Sequence, residues 1–253
     1  MTANKITVIH EPTSQKPYLI IDKPADLPSA PLNETDKENA FYQAAQSFPE
    51  LLQVHGKKEI EHGLLHRLDT ATSGLMIIAA TQECYDFLQQ EQKDGRIIKT
   101  YLAECDYGLL RRSAPRNDGS GVPELVEGQT IKLTSYFRAY GPGRKEVRPV
   151  TADSNKAALN KVEKKVLYTT NVLIKSIDKS KGRAIVECKI TNGYRHQVRC
   201  HLAWYGLPII NDAVYNPDVN KKSTEQMHFC ASKIEFEYPR GDLNSYDRKD
   251  TWT

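Results

Sequence analysis

Cysteine is scarce, with five in 253 residues. Cys84, Cys105, Cys188, Cys200 and Cys230 are scattered, odd in number and never spaced Cys-x-x-Cys. A disulfide framework is therefore not expected, and reduced thiols in the cytoplasm are. His196 and His201 lie five apart, which splays them around a helix, and no zinc-type ligand spacing appears, so no metal is expected. No apolar run approaches the length that spans a bilayer. Residues Met1 to His10 lack the apolar core and small-residue cleavage site of a secretory leader. Charge is nearly balanced, 35 Lys and Arg against 32 Asp and Glu, a net of +3. Such a balance permits nucleic-acid binding only through local clustering. There is no internal repeat and no low-complexity tract.

What is present describes a globular protein: 39% hydrophobic and 26% charged residues, in a chain long enough for one large domain or two small ones. Tyr18 to Lys23 reads as a short strand closed by a Lys-Pro turn. Asn33 to Phe48 reads as a helix, with Asn33 as N-cap, apolar residues at helical spacing, and Pro49 as its end. Glu83 to Lys93 reads as an amphipathic helix closed by Gly95. Ile97 to Cys105 follows as a strand that puts Lys99, Tyr101 and Ala103 on one face. Gly108 to Gly128 reads as an exposed loop, Ile131 to Ala139 as a strand, Gly141 to Lys145 as a turn, and Thr151 to Lys156 as a linker. Val162 to Ile177 and Arg183 to Thr191 read as a hairpin joined at Asp178 to Gly182. A helix starting at Gly193 would put Arg195 and Arg199 on one face. Met227 to Phe236 alternates as a final strand, and Gly241 to Thr253 reads as a polar, mobile tail. Arg111, Arg112, Arg116, Lys132, Arg138, Arg144, Lys145 and Arg148 suit either a solvated face or a phosphate-contacting rim.

The chain is organised around His66-Arg67-Leu68-Asp69-Thr70-Ala71-Thr72-Ser73-Gly74. This donor-rich segment runs directly into the apolar run Leu75 to Ala80, a buried strand. It sits at the mouth of a sheet, held by a rigid element, where a reactive side chain is best positioned. Its only carboxylate is Asp69. By itself the segment also fits a surface loop whose Asp caps a turn and pairs with Arg67.

His-Arg-Leu-Asp-x-x-Thr-Ser-Gly-Leu resembles the active-site motif of the RluA-type pseudouridine synthases, which isomerise uridine in RNA. Lys99-x-Tyr101 is similar to that family's second motif. His196-Gln197-Val198-Arg199-x-His201-Leu202, with Gly206-x-Pro208-Ile209-x-x-Asp212-x-x-Tyr215, is similar to the third. The family commonly has Gly-Arg-Thr before His-Gln; here Gly193-Tyr194-Arg195 stands instead. Asp22-Lys23-Pro24 is similar to the N-terminal motif, and the stretch from His228 to Pro239 loosely resembles the C-terminal one.

The resemblance implies an α+β pseudouridine synthase fold: a mixed, mostly antiparallel sheet with flanking helices and loops around a central cleft. It implies an N-terminal extension at 1–17, a catalytic domain at 18–240 and the tail at 241–253. Asp69, Tyr101 and Arg199 would be catalytic, Arg199 pairing with Asp69. His66, Arg67, Thr72, Lys99, Arg195 and His196 would bind RNA. The implied partner is ribosomal or transfer RNA, bound by a cytoplasmic monomer, and the implied reaction needs no cofactor. The alternative is an RNA-binding protein of the same fold that has lost catalysis; retention of Asp69, Tyr101 and Arg199 together argues against it. A glycosidase-type hydrolase would want a second carboxylate beside Asp69.

Overall fold

The computed structural model describes residues 4–107, 125–219 and 225–249. These divide into two compact units, one built from the chain up to Lys99 and from Cys230 onward, the other from Thr100–Phe229. The loop expected at Gly108 to Gly128 lies mostly outside the described residues, with Arg111, Arg112 and Arg116. Among the described residues no helix is long and apolar enough to cross a membrane.

In the first unit the strands are β1 (Thr7–His10), β2 (Tyr18–Lys23), β3 (Ser73–Ala79), β9 (Phe229–Glu237) and β10 (Leu243–Asp247). β1, β2 and β3 pair antiparallel in that order, β3 pairs parallel with β9, and β10 pairs antiparallel with β9. The parallel contact is short, Ser73 opposite Cys230 and Gly74 opposite Ala231. Gly74 has φ of 123°, and a Cβ there would lie 2.3 Å from the Ala231 carbonyl oxygen, so only glycine fits.

Helix α2 (Gln82–Lys93) is capped by the Thr81 hydroxyl and left through Gly95 at positive φ. Its Cys84 and Leu88 pack with Leu75, Ile77, Ile234 and Phe236 in one core. Each of the Leu, Ile and Phe side chains among them, fully removed from water, contributes about 1.5–3 kcal/mol.

Helix α1 (Ala40–Ser47) is shorter than its sequence suggests. Asn33 does not cap it: its side chain accepts from the Thr35 and Asp36 amides and holds a turn. Asn39 is the cap, accepting from the Tyr42 amide at 3.0 Å. Asn and Asp bind nearby backbone in turns as readily as at caps, which is why the earlier Asn attracted the assignment.

The polar stretch expected to be a mobile tail is part of the sheet. From Leu243 to Asp247 the chain forms β10, with Asn244 and Tyr246 turned inward and their neighbours outward. At the other end, residues 7–10 of the expected extension form β1.

The second unit holds β4 (Ile98–Asp106), β5 (Thr130–Tyr140), β6 (Glu146–Val150), β7 (Tyr168–Asp178) and β8 (Arg183–Ile190), in the order β4-β8-β7-β5-β6. The β7–β8 hairpin turns where the sequence indicates, the Asp178 carboxylate accepting from the Ser180 and Lys181 amides. β7 starts at Tyr168 rather than Val162, because the preceding Lys-rich stretch follows a short helix, α3 (Lys156–Leu159), capped by Asn155. β6 escaped the sequence reading. It is an edge strand, which is why it tolerates Pro149. Helix α4 (Gln197–Tyr205) begins four residues later than expected, since His196 adopts the left-handed region at φ of 55°. Both units thus combine antiparallel pairing with few helices, and the fold is α+β.

Candidate active site

The first unit presents the segment around Asp69 as a braced turn. On one side the Ser29 hydroxyl donates to the Leu68 carbonyl at 2.7 Å and accepts from the Leu68 amide at 3.0 Å. On the other, the Thr70 carbonyl accepts from the Asp26 amide at 2.8 Å and from Lys23 Nζ at 3.2 Å. The Thr72 amide closes the turn on the Asp69 carbonyl at 2.9 Å. Leu68 and Thr72 face inward, Arg67 and Thr70 outward, and Asp69 is half-buried between them.

Lys23 is fully buried and donates to three carbonyls, those of Pro24, Leu27 and Thr70. Desolvation pushes its ammonium down to about 8, against the opposing pull of Asp26, Asp69 and Asp22. The sequence shows Lys23 as the end of a strand; the fold makes it an anchor of the turn.

His66 turns its Nε2 to the Ile77 amide at 3.3 Å, which fixes the neutral ring with its proton on Nδ1. Burial holds it well below the usual histidine range, and the nearby Lys99 charge adds to this. Lys99 is itself buried, 3.4 Å from Gln92 Oε1, and desolvation lowers it to about 8. Arg67 is exposed and pairs with Glu61 at 3.1 Å. The Thr72 hydroxyl is buried and makes no hydrogen bond among the described residues.

In the second unit Tyr101 is buried and stacks on Phe229, with ring centroids 5.2 Å apart. Arg199, on α4, forms a bidentate pair with Asp212: Nε to Oδ2 and Nη2 to Oδ1, each 2.8 Å. Asp212 Oδ1 also accepts from the Val214 and Tyr215 amides. His196 Nδ1 meets the Tyr215 hydroxyl at 3.0 Å, and that hydroxyl accepts from the Val147 amide at 2.9 Å.

Arg195 lies before the helix rather than on it, so it shares no helical face with Arg199. Its Nη2 donates instead to the carbonyls of Arg144 and Glu146. His201 is buried between the hydroxyls of Ser135 and Thr170, at 2.9 and 2.8 Å, tying α4 to β5 and β7. Asp212 is the residue of this network that sequence reasoning passed over, although it stands in the third motif.

A family model described as RNA pseudouridylate synthase matches residues 17–204. The chain is 31% identical over 204 residues to tRNA pseudouridine(31) synthase of Saccharomyces cerevisiae, covering 80% of this chain and 45% of that protein. It is 26% identical over 216 residues to RNA pseudouridine synthase 7 of Arabidopsis thaliana, covering 83% of this chain and 45% of that one. The chain thus spans about half the length of these two relatives. The solved structure of human RNA pseudouridylate synthase domain containing 1 shares the fold at 15% identity, with a TM-score of 0.63 over 99% of this chain and 85% of that one.

Proposed function

Because the chain belongs to the RNA pseudouridylate synthase family, we propose that it isomerises uridine to pseudouridine in RNA, with Asp69 as its catalytic carboxylate. The observation that carries this reading is the bracing of the Asp69 turn from both sides by Ser29, Asp26 and Lys23. A reacting group needs such fixed geometry, and a solvated surface loop does not.

The reaction breaks the N1–C1′ bond, rotates uracil and joins C5 to C1′. The hydrogen leaves C5 and N1 ends protonated, so nothing is oxidised and no redox cofactor is needed. Asp69 serves the ring and sugar carbons as nucleophile or as the group that handles the proton and developing positive charge. Arg199 contributes a fixed positive charge to the reaction. Tyr101 stacks on the base and assists proton removal from C5. Arg67 fills the space that the uridine vacates or holds phosphate, and His66, Arg195 and His196 contact the RNA around it, while Thr72 and Lys99, both buried, support the RNA-binding surface from behind. Extrusion of the uridine costs a few kcal/mol of lost stacking, which these contacts offset.

The substrate is transfer or ribosomal RNA. Transfer RNA is supported by the yeast relative, whose name specifies tRNA. Ribosomal RNA is supported by a relative in Xylella fastidiosa named ribosomal large subunit pseudouridine synthase D. The chain acts as a monomer in the cytoplasm, and five buried, unbridged cysteines support the reducing compartment in this reading.

The test is tritium release from RNA carrying tritium at uridine C5, isolated from cells lacking the protein. Wild type is expected to release tritium without freeing uracil, and Asp69→Asn to release none while still binding. Binding without release in the wild type would mean an inactive RNA-binding protein, and free uracil a hydrolase.

A further inference from the structure

We propose that Arg248 is a positioning residue for the catalytic turn: from strand β10 it clamps the start of β3, where Asp69 is held. The proposal rests on the reading of Asp69 given above.

The topology delivers Arg248 to this place. β10 runs antiparallel along β9, with Asp247 opposite Lys233. One residue further, the Arg248 amide donates to the Ser232 carbonyl at 2.8 Å, extending the ladder by a rung. Two residues away on β9, Cys230 faces Ser73 of β3. β2 arrives at the same level, with Asp22 opposite Leu75 and Lys23 opposite Gly74. The side chain of Arg248 is therefore set down where β2, β3 and β9 converge.

Its guanidinium uses that position twice. Nε donates to Asp22 Oδ2 at 2.7 Å, and Nη1 donates to the Ser73 hydroxyl at 3.0 Å. The two carboxylate oxygens of Asp22 fare differently: Oδ2 has Arg248, whereas Oδ1 is buried with no hydrogen-bond partner among the described residues. The guanidinium is thus the charge hydrogen-bonded to Asp22, which also attracts the Lys23 ammonium. Arginine suits the task because its planar fork engages two acceptors in fixed geometry, which a lysine ammonium does not.

The consequence is a turn held at both ends. Lys23 and the Asp26 amide grip the Thr70 carbonyl on one side of Thr72, and Arg248 grips Ser73 on the other. Ser73 is four residues from Asp69, and the Thr72 amide bonds back to the Asp69 carbonyl. Loosening Ser73 frees that amide and with it the direction of the carboxylate. A displacement of an ångström at a reacting group is enough to slow a reaction severely.

The test uses the full chain, with amide hydrogen exchange and single-turnover kinetics on RNA tritiated at uridine C5. In Arg248→Ala, exchange at the Thr72 and Asp26 amides is expected to accelerate while the Ile20 and Ile77 amides keep their protection. The rate at saturating enzyme should fall at least about tenfold, with the half-saturating concentration unchanged. Ser73→Ala removes one arm of the clamp without leaving an unpaired carboxylate, and covers the case in which Arg248→Ala fails to fold. It should show the same loss, and the double variant no further loss. Arg248→Lys is expected to recover stability through Asp22 but not the rate. Unchanged exchange at Thr72 and Asp26 in Ser73→Ala overturns the clamp, as does faster exchange with an unchanged rate. If the wild type releases no tritium at all, the reading of Asp69 fails, and the exchange measurement alone decides whether Arg248 fixes the turn.

Discussion

Arg199 and Asp212 form a two-pronged ion pair inside the second unit, both bonds 2.8 Å long, with 5% of the arginine side chain and none of the aspartate exposed. Asp212 also receives the Val214 and Tyr215 amides, so one carboxylate both orients the guanidinium and shapes the turn after α4. The chemistry ascribed to Arg199 requires a fixed guanidinium, and this pair provides it.

Removing the carboxylate should therefore be costly. Asp212→Ala strips the fork from a buried charge and leaves two amides without their acceptor. A loss of about 3–5 kcal/mol is expected, as when one partner of a buried ion pair is deleted. Urea unfolding at pH 7 measures it. A loss below about 1 kcal/mol would place the pair among the weak surface type.

Gly74 is the second point of sensitivity. Gly74→Ala combines a positive φ with a Cβ set 2.3 Å from the Ala231 oxygen, a backbone atom that cannot turn aside. The parallel contact of β3 with β9 must then open. We expect destabilisation above about 4 kcal/mol, in the range reserved for overpacking and strained backbone, or failure to accumulate folded protein. A variant that unfolds like wild type in urea would show that β3 and β9 do not approach this closely.

Two histidines make the fold acid-sensitive. Burial lowers His201 to about 4, and His66 is displaced in the same direction. Each takes up a proton near 6.5 once unfolded, so acid favours the unfolded chain. Stability is fully present above pH 6.5 and is lost as pH falls towards 4, by about 3 kcal/mol for His201 alone. His201→Gln should unfold more easily at pH 7, having lost its hydroxyl partners, yet lose less stability on going to pH 4.5. Urea midpoints of both proteins at the two pH values test this, and an equal fall in the two would remove His201 as the cause.

Legibility in the sequence followed the range of the forces involved. β2, β3, α2 and the β7–β8 hairpin declared themselves through apolar runs, helical spacing and turn residues, all local signals. α1 was misplaced because Asn33 and Asn39 carry the same capping chemistry, and only tertiary packing selects between them. β10 and β6 were missed because edge strands are polar and short, and Pro149 reads as a breaker until the strand is known to lie at an edge. Within the candidate site, Asp69, Lys99 and Tyr101 came from motifs. Lys23 and Asp212 stand in motifs without standing out there, and Arg248 stands in none, because their importance lies in carbonyls, amides and carboxylates brought to them by the fold.

The pairing of Ser73 with Cys230 bears on how the chain is made. The unit that carries Asp69 is split, with Thr100–Phe229 inserted between its two parts. During synthesis the inserted stretch is finished before β9 exists, so the second unit has all its residues while the first still lacks its central strand. Pairing strands so far apart in sequence is slow, although the entropy of closing the loop grows only weakly with its length. The growing chain therefore carries the apolar edge of β3 uncovered until late in translation. An apolar strand edge left unpaired in that interval is the kind of surface through which incomplete chains aggregate.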